Sequence, residues 1–293
     1  PCLNSPKREQ VVAIARELCA RYQPDAFHLD MVFTTDICVC NYCRPHLEKI
    51  CGTRDISRAA VHANWAAYID WYRGCSASLI GAVSAVLREH GVIAAHNAFM
   101  PLFQPALRGV DEGWLPALDV YVSECFDAFH MADTNAASIT VRWQHAVGKP
   151  AWILRTSHPM YYAHWPITQA QWQLYAAACK ANGAALFGPC GVGARPDTTS
   201  AKRLLANVRA GFDAFMQDDD LAPRAMSAAR VALVFSWATR RYFEPESNRW
   251  SEELYGWARF LIEEHLPFDI VVAERVQQTA ALARYDLVIL PDL

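Results

Sequence analysis

The stretch Ala26-Phe27-His28-Leu29-Asp30-Met31-Val32-Phe33 is a short apolar run that follows a helical stretch at residues 6–22 and carries one imidazole and one carboxylate. Its length and its β-branched and aromatic content read as a buried strand rather than a helix. The same succession recurs along the chain. Strand-like runs fall at 92–98, 118–125, 150–156 and 184–189, and helix-like stretches lie between them at 59–90, 135–147 and 168–182. Strands that alternate with helices imply parallel pairing through right-handed crossovers. The strands end in polar or basic residues, Asp30, His96-Asn97, Glu124 and Arg155, and the loop Ser157-His158-Pro159-Met160-Tyr161-Tyr162-Ala163-His164-Trp165 is long and aromatic. In an eight-stranded α/β barrel, chemistry is built from the carboxyl ends of strands and the loops after them. The expected fold class is therefore α/β, a partial (β/α)8 TIM barrel over residues 1–216, with a sixth strand tail at Pro1-Cys2 and about two units upstream.

The acidic stretch Gln217-Asp218-Asp219-Asp220-Leu221-Ala222-Pro223 opens a linker, 217–229. Beyond it, strand-like runs at 230–236, 268–272 and 286–290 and an amphipathic helix at 250–265 predict part of a doubly wound, flavodoxin-like domain over 230–293. Ser236-Trp237-Ala238-Thr239-Arg240 lacks the glycines that let backbone approach a pyrophosphate, which argues against nucleotide binding there. Pro1 and the apolar run just before Leu293 read as cuts through a longer protein.

The 293 residues are 53% hydrophobic and 19% charged, with 27 Lys plus Arg against 30 Asp plus Glu and a formal charge of -3. Such a balance excludes the basic stripe of a nucleic-acid binder and the composition of a disordered tail. No apolar run reaches the roughly 18 residues of a membrane-spanning helix. Reduced cysteines favour a cytoplasmic location, although a leader upstream of Pro1 would direct the chain to the periplasm or beyond.

Three of the ten cysteines form Cys38-Val39-Cys40-Asn41-Tyr42-Cys43. Thiolates at that spacing can wrap one tetrahedral cation, and a structural zinc takes four sulfurs. Cys2 and Cys51 are the candidates for the fourth. Buried free thiols or a local disulfide are the simpler alternative. On the strands, alternation puts His28 and Asp30 on one face and Val122 and Glu124 on another, so both acids reach the barrel mouth. An acid that ends an apolar strand needs partners, and such acids are often functional. Two carboxyl groups across one mouth fit glycoside hydrolysis, at about 5 to 5.5 Å in a retaining enzyme and about 6.5 to 9.5 Å in an inverting one. A salt bridge of either acid with Arg155 is the structural alternative. His96, Asn97, Tyr161, Tyr162, His164 and Trp165, with His28 and Arg155, are the expected sugar contacts, because aromatic faces stack on sugar rings and amides bind hydroxyls. A metal-dependent hydrolase built on His28, Asp30 and His96 is a further alternative, without the H-x-H or H-E-x-x-H spacing that would support it.

Taken together, Cys2-Leu3-Asn4-Ser5-Pro6 and the Cys38 to Cys43 loop resemble the four-cysteine zinc site of glycoside hydrolase family 42 β-galactosidases, which implies Cys2 as fourth ligand. Ala95-His96-Asn97-Ala98-Phe99-Met100 resembles that family's fifth-strand motif, and Asn182-Gly183-Ala184 its entry into strand eight. Phe268-Asp269-Ile270-Val271 and Tyr285-Asp286-Leu287-Val288-Ile289-Leu290-Pro291 resemble strands of its trimerisation domain, which implies a homotrimer. Two departures stand out. Leu29-Asp30-Met31 occupies the place of the family's Asn-Glu-Tyr acid/base motif, and Ile153-Leu154-Arg155-Thr156 has no carboxylate where the family has its nucleophile. The chain thus resembles more closely divergent glycoside hydrolases in which a Phe-Asp-Met strand precedes the cysteine loop. By position, Asp30 and Glu124 match the nucleophile and acid/base of α-galactosidase-like barrels. The resemblance implies a two-carboxylate glycosidase acting on a galactoside, fucoside or related sugar, with structural zinc at Cys2, Cys38, Cys40 and Cys43. A barrel that has lost catalysis and serves to bind carbohydrate or assemble subunits is the rival reading.

Overall fold

The computed structural model describes residues 2–30, 32, 36–97, 111–124, 135–156, 166–190, 198–217, 227–243, 249–276 and 281–291. Helix α1 (Lys7–Tyr22) leads into β1 (Ala26–Asp30), and α2 (Arg44–Cys51), α3 (Arg58–Ala63) and α4 (Trp65–Glu89) precede β2 (Ile93–Asn97). A short 3₁₀ turn (Glu112–Ala117) precedes β3 (Val120–Glu124). Then α5 (Ala136–Ala146), β4 (Ala151–Thr156), α6 (Gln169–Ala181), β5 (Ala185–Cys190) and α7 (Thr199–Met216) alternate. The last stretch holds β6 (Val231–Phe235), α8 (Trp237–Tyr242), α9 (Arg249–Glu263), β7 (Phe268–Val272) and β8 (Leu287–Ile289). The first five strands follow chain order, β1-β2-β3-β4-β5, with parallel pairing of β1 to β2, β3 to β4 and β4 to β5. This is the α/β arrangement of helices and parallel strands that the alternation predicts.

Local chemistry punctuates the elements. After α4, α5 and α6 the chain turns through Gly91, Gly148 and Gly183, whose φ values of 68°, 69° and 76° lie in the left-handed region. A glycine just past a helix end closes the last turn without a Cβ clash, and the next strand starts within three residues. Thr168 and Gln171 form a reciprocal capping box at the start of α6. The stretch 59–90, expected as one helix, is two. At Asn64 the backbone leaves helical geometry (φ -119°, ψ 31°), and its side-chain amide donates to the Ala60 carbonyl at 2.9 Å. Asn competes in this way with the helical ladder, a local conflict that periodicity alone does not register.

Two compact units are formed, residues 1–120 with 236–254 and 291–293, and residues 121–235 with 255–290. Each draws on both stretches that the sequence separates at 217–229. In the first unit, α1 and the 3₁₀ turn pack on α4, whose buried face carries Tyr68, Ile69, Tyr72, Leu79, Ile80 and Val83. Arg73 and Asp111 pair there through two charge-assisted hydrogen bonds, and Asp111 also caps Gly113 at 2.9 Å. In the second unit, Trp172, Ile153, Val141, Leu204 and Val208 form a shared core under β4, α6 and α7. Its small parallel sheet has the order β7-β6-β8, the first strand central and the next two on either side, as in doubly wound sheets. Among the described residues no helix is long and apolar enough to cross a membrane.

Helices α6 and α7 meet at Gly211, where an added Cβ would stand 2.9 Å from the Trp172 Cβ and 3.3 Å from its backbone carbonyl. Neither Trp172 nor backbone can give way inside a filled core. Gly211→Ala is expected to destabilise the chain by roughly 1–3 kcal/mol, read as a lower urea midpoint with unchanged slope.

Candidate active site and cysteine cluster

Parallel pairing aligns Leu29 with His96 and Asp30 with Asn97. Asp30 ends β1 and is exposed, as is His28 two residues before it. Asn97 is 0% exposed and donates its side-chain amide to Asp30 Oδ1 at 2.7 Å. His96, 1% exposed, lies against Trp114 with ring centroids 4.8 Å apart. Its Nδ1 is 2.5 Å from the Leu29 carbonyl oxygen, which can only accept, so Nδ1 carries the proton. Burial pushes the ring down to about 4, against the raising effect of that bond, which leaves neutral imidazole with its second nitrogen bare. Nε2 is buried with no hydrogen-bond partner among the described residues. Trp114 is fixed in turn by donating Nε1–H to Ser76 Oγ of α4 at 2.8 Å.

In the second unit, β3 is buried along its whole length and ends at Glu124, which is 4% exposed. Gln144 of α5 donates to the Tyr121 carbonyl and to Ser123 Oγ, both at 3.1 Å, which holds the strand just before the carboxylate. Arg155 is 7% exposed, and its guanidinium lies 4.4 Å from the centroid of the Tyr175 ring on α6. Sequence parity places Asp30 and Glu124 at strand ends as observed, but it does not see depth. His96, Asn97 and Arg155, expected as sugar contacts, have almost no surface to offer a solute. Among their contacts are the Leu29 carbonyl for His96, the Asp30 carboxylate for Asn97 and the Tyr175 ring for Arg155. Tyr161, Tyr162, His164 and Trp165 lie outside the described residues. Among the described residues His28, Asp30 and His96 do not converge on a metal position.

Cys2, Cys38, Cys40 and Cys43 do converge. Their four sulfurs lie within 4.8 Å of one another, and Cys2 Sγ is 3.3 Å from Cys43 Sγ. That separation is far beyond a disulfide bond of about 2.05 Å. A tetrahedron with metal–sulfur bonds of about 2.3 Å needs sulfurs about 3.8 Å apart, so small shifts close the cluster on one cation. Cys51 is a separate free thiol in α2. Backbone N–H groups of Tyr42 and Cys43 face the Cys40 sulfur. Burial opposes its ionisation, yet these donors with the neighbouring thiols bring it down to about 7. Burial first, then the surrounding thiols, push Cys43 up. Asn4, which the sequence reading did not single out, donates its backbone N–H to Cys2 Sγ at 3.3 Å and its amide to Cys43 Sγ at 3.6 Å. Its only sequence signal is a position two residues after a ligand cysteine. The donor set fits a metal that takes four sulfurs.

No protein-family model matches the sequence, and no curated protein does. Solved structures do. The chain is similar to α-L-fucosidase isoenzyme 2 from Paenibacillus thiaminolyticus, with 19% identity and a TM-score of 0.67 over 100% of this chain and 41% of that one. It thus spans about two fifths of that enzyme. It is also similar to a GH5_18 from Bifidobacterium longum subsp. infantis (12% identity, TM-score 0.56, 99% of this chain and 86% of that one). A GH5_18 from Streptomyces cattleya in complex with GlcNAc matches at 11% identity and a TM-score of 0.57, over 97% of this chain and 70% of that one. At these identities the likeness is one of fold alone, the α/β fold that these structures share with the chain.

The buried His96 has a consequence for acid stability. Its proton affinity is about 4 in the folded chain against 6.5 when unfolded, so the unfolded state takes up a proton that the folded state refuses. The stability this neutral ring protects is complete above pH 6.5 and is lost as pH falls toward 4, about 3 kcal/mol across that window. In His96→Gln the stability measured by urea unfolding is expected to fall less steeply between pH 6.5 and 4 by about that amount.

Proposed function

We propose that this chain is the core of a retaining glycosidase that acts on a galactoside, fucoside or related sugar, with Asp30 as nucleophile and Glu124 as general acid/base. The observation that carries this reading is Asp30 itself. It is an exposed carboxylate at the carboxyl end of a parallel strand, with one oxygen held by a buried amide. Oδ1 accepts from Asn97, which fixes the side-chain rotamer and leaves Oδ2 to attack an anomeric carbon. Glu124 is buried at the carboxyl end of β3, and in this reading it protonates the leaving oxygen as general acid. After glycosylation the same group takes a proton from the water that releases the sugar. His28 and the aromatic residues Tyr161, Tyr162, His164 and Trp165 are the sugar contacts of this reading, while His96 and Asn97 act from beneath Asp30.

The similar structures, a fucosidase among them, support the substrate class. The sequence resemblance to family 42 supports a barrel over 1–216, a flavodoxin-like domain over 230–293 and a trimer. It also supports zinc as the metal of Cys2, Cys38, Cys40 and Cys43. Four thiolates leave no open position for water, so the ion would brace the loop after β1 rather than take part in hydrolysis.

Asp30→Asn is expected to lower turnover of aryl glycosides by roughly a thousandfold or more, with partial recovery as glycosyl azide when azide is added, and with metal content unchanged. Glu124→Gln should slow substrates with poor leaving groups far more than activated ones. Product stereochemistry followed by NMR decides the mechanism, since inversion would overturn Asp30 as nucleophile. For the metal, elemental analysis should find one zinc per chain. Cys43→Ser should lose it and melt lower by roughly 10 °C, at about 2–4 °C per kcal/mol.

A further inference from the structure

The second unit contains a cavity of about 770 Å³ that the glycosidase reading leaves unused. Its walls come from the last turns of α5 and α6 and from segments that run into the amino ends of β5, β6, β7 and β8. Chemistry in barrels and doubly wound sheets sits at the carboxyl ends of strands. In this unit Glu124 and Thr156 mark those ends, and the cavity belongs to the opposite ones.

Its charge is one-sided. Arg142, Lys180 and Arg284 line it with His145, against one carboxylate, Asp269. Asp269 is already supplied with donors. Ser227 gives it a hydrogen bond at 2.6 Å and Tyr285 another at 2.9 Å, and Arg284 completes an ion pair. Arg142 donates one N–H to the Phe268 carbonyl at 2.5 Å and stacks 4.7 Å over the Phe268 ring, while its Nε–H is buried with no acceptor among the described residues. Lys180 donates to the Phe215 carbonyl at 2.8 Å, which leaves two of its three protons for other partners. His145 Nε2 is 2.7 Å from the Asn182 carbonyl, so that nitrogen is the donor.

Cations near helix carboxyl ends have an ordinary explanation, because each end carries about half a negative charge. That accounts for Lys180 and His145 in the last turns of α6 and α5. It does not account for Arg284, which lies on neither helix, nor for the bare Nε–H of Arg142. With both helix ends and Asp269 set against the three side chains, about one positive charge is left over. Two guanidiniums offer planar pairs of donors that match a tetrahedral oxyanion. The volume falls within the roughly 300–1,000 Å³ of small-molecule sites and exceeds what one oxyanion fills. We propose that this cavity binds a small phosphorylated molecule, its phosphate held by Arg142, Arg284 and Lys180. The proposal is independent of the glycosidase reading.

Calorimetric titration of the full chain at low ionic strength tests it with inorganic phosphate, glucose 6-phosphate and glucose as separate probes. Saturable binding of both phosphates, weakened by added salt, with none for glucose, is expected. Tighter binding of the ester than of inorganic phosphate would assign an organic phosphate as the ligand, and equal binding would assign the free anion. Lys180→Gln and Arg284→Gln, checked for folding by circular dichroism, should each weaken binding about tenfold, the worth of one charge-assisted hydrogen bond. Without any variant, phosphate should shield Arg142 and Arg284 from phenylglyoxal, followed by peptide mass spectrometry. The idea is overturned by absence of saturable binding, by unchanged affinity in both folded variants, or by equal labelling with and without phosphate.

Discussion

The parallel register of β1 on β2 is the constraint on which the candidate site rests. A carboxylate that ends an apolar strand is costly unless its oxygens find donors. Pairing Asp30 with Asn97 and Leu29 with His96 answers that need twice, once by a side-chain amide on the carboxylate and once by an imidazole on the preceding carbonyl. A slip of one residue would turn Asn97 to the other face and leave Asp30 without its amide. The register is itself held from behind. His96 rests on Trp114, Trp114 bonds Ser76 of α4, and Asp111 at the start of the same turn is paired with Arg73 of α4. A surface carboxylate is thereby tied, layer by layer, to the longest helix of its unit.

The cysteine cluster acts on the same strand from its two flanks. Cys2 precedes α1 and the Cys38 to Cys43 loop follows β1, so a metal shared by the four sulfurs would close a ring around the whole α1–β1 segment. Closing a ring of that length removes chain entropy from the unfolded state, and the gain grows only slowly with length. Its larger effect is positional. The loop that leaves the carboxylate becomes anchored to the segment that leads into α1. Asn4, touching two of the sulfurs, extends that anchor into the donors around the ligands, the shell that orients ligands and tunes their basicity.

In the second unit the two ends of the parallel strands carry different chemistry. The carboxyl ends hold Glu124, Arg155 and Thr156, all buried. The amino ends hold a cation-rich cavity in which backbone carbonyls and one carboxylate meet four basic side chains. Helix α5 serves both. Gln144 braces β3 just before Glu124, while Arg142, two residues earlier, bonds and covers Phe268 of β7. The helix geometry that brings residues two apart to different faces is what lets one element supply both ends.

Much of this was legible in the chain alone, wherever the signal is local. Alternating apolar runs and helical periods specify the α/β class, the Cys-x-Cys-x2-Cys spacing marks a candidate ligand loop, and the strand pattern brings Asp30 and Glu124 to strand ends. Helices α2 and α7 escaped the reading even though both carry local signals, Pro45 in the first turn of one and the Thr198 cap of the other. The division at Asn64 escaped because a side-chain amide decides it against an unbroken helical pattern. Which polar residues lie deep was decided only by tertiary structure. Parity reports a direction but no depth, so the burial of His96, Asn97 and Arg155 is not visible in the sequence. The cavity follows the same logic, since Arg142, Lys180, Asp269 and Arg284 are distant in sequence and acquire a common field only when the strands pair. The sequence by itself determined the period, the ligand spacing and the carboxylates at strand ends, because these depend on neighbours a few residues away. Burial, hydrogen-bond partners and net charge around a cavity depend on atoms brought together by folding, and those the tertiary structure alone decided.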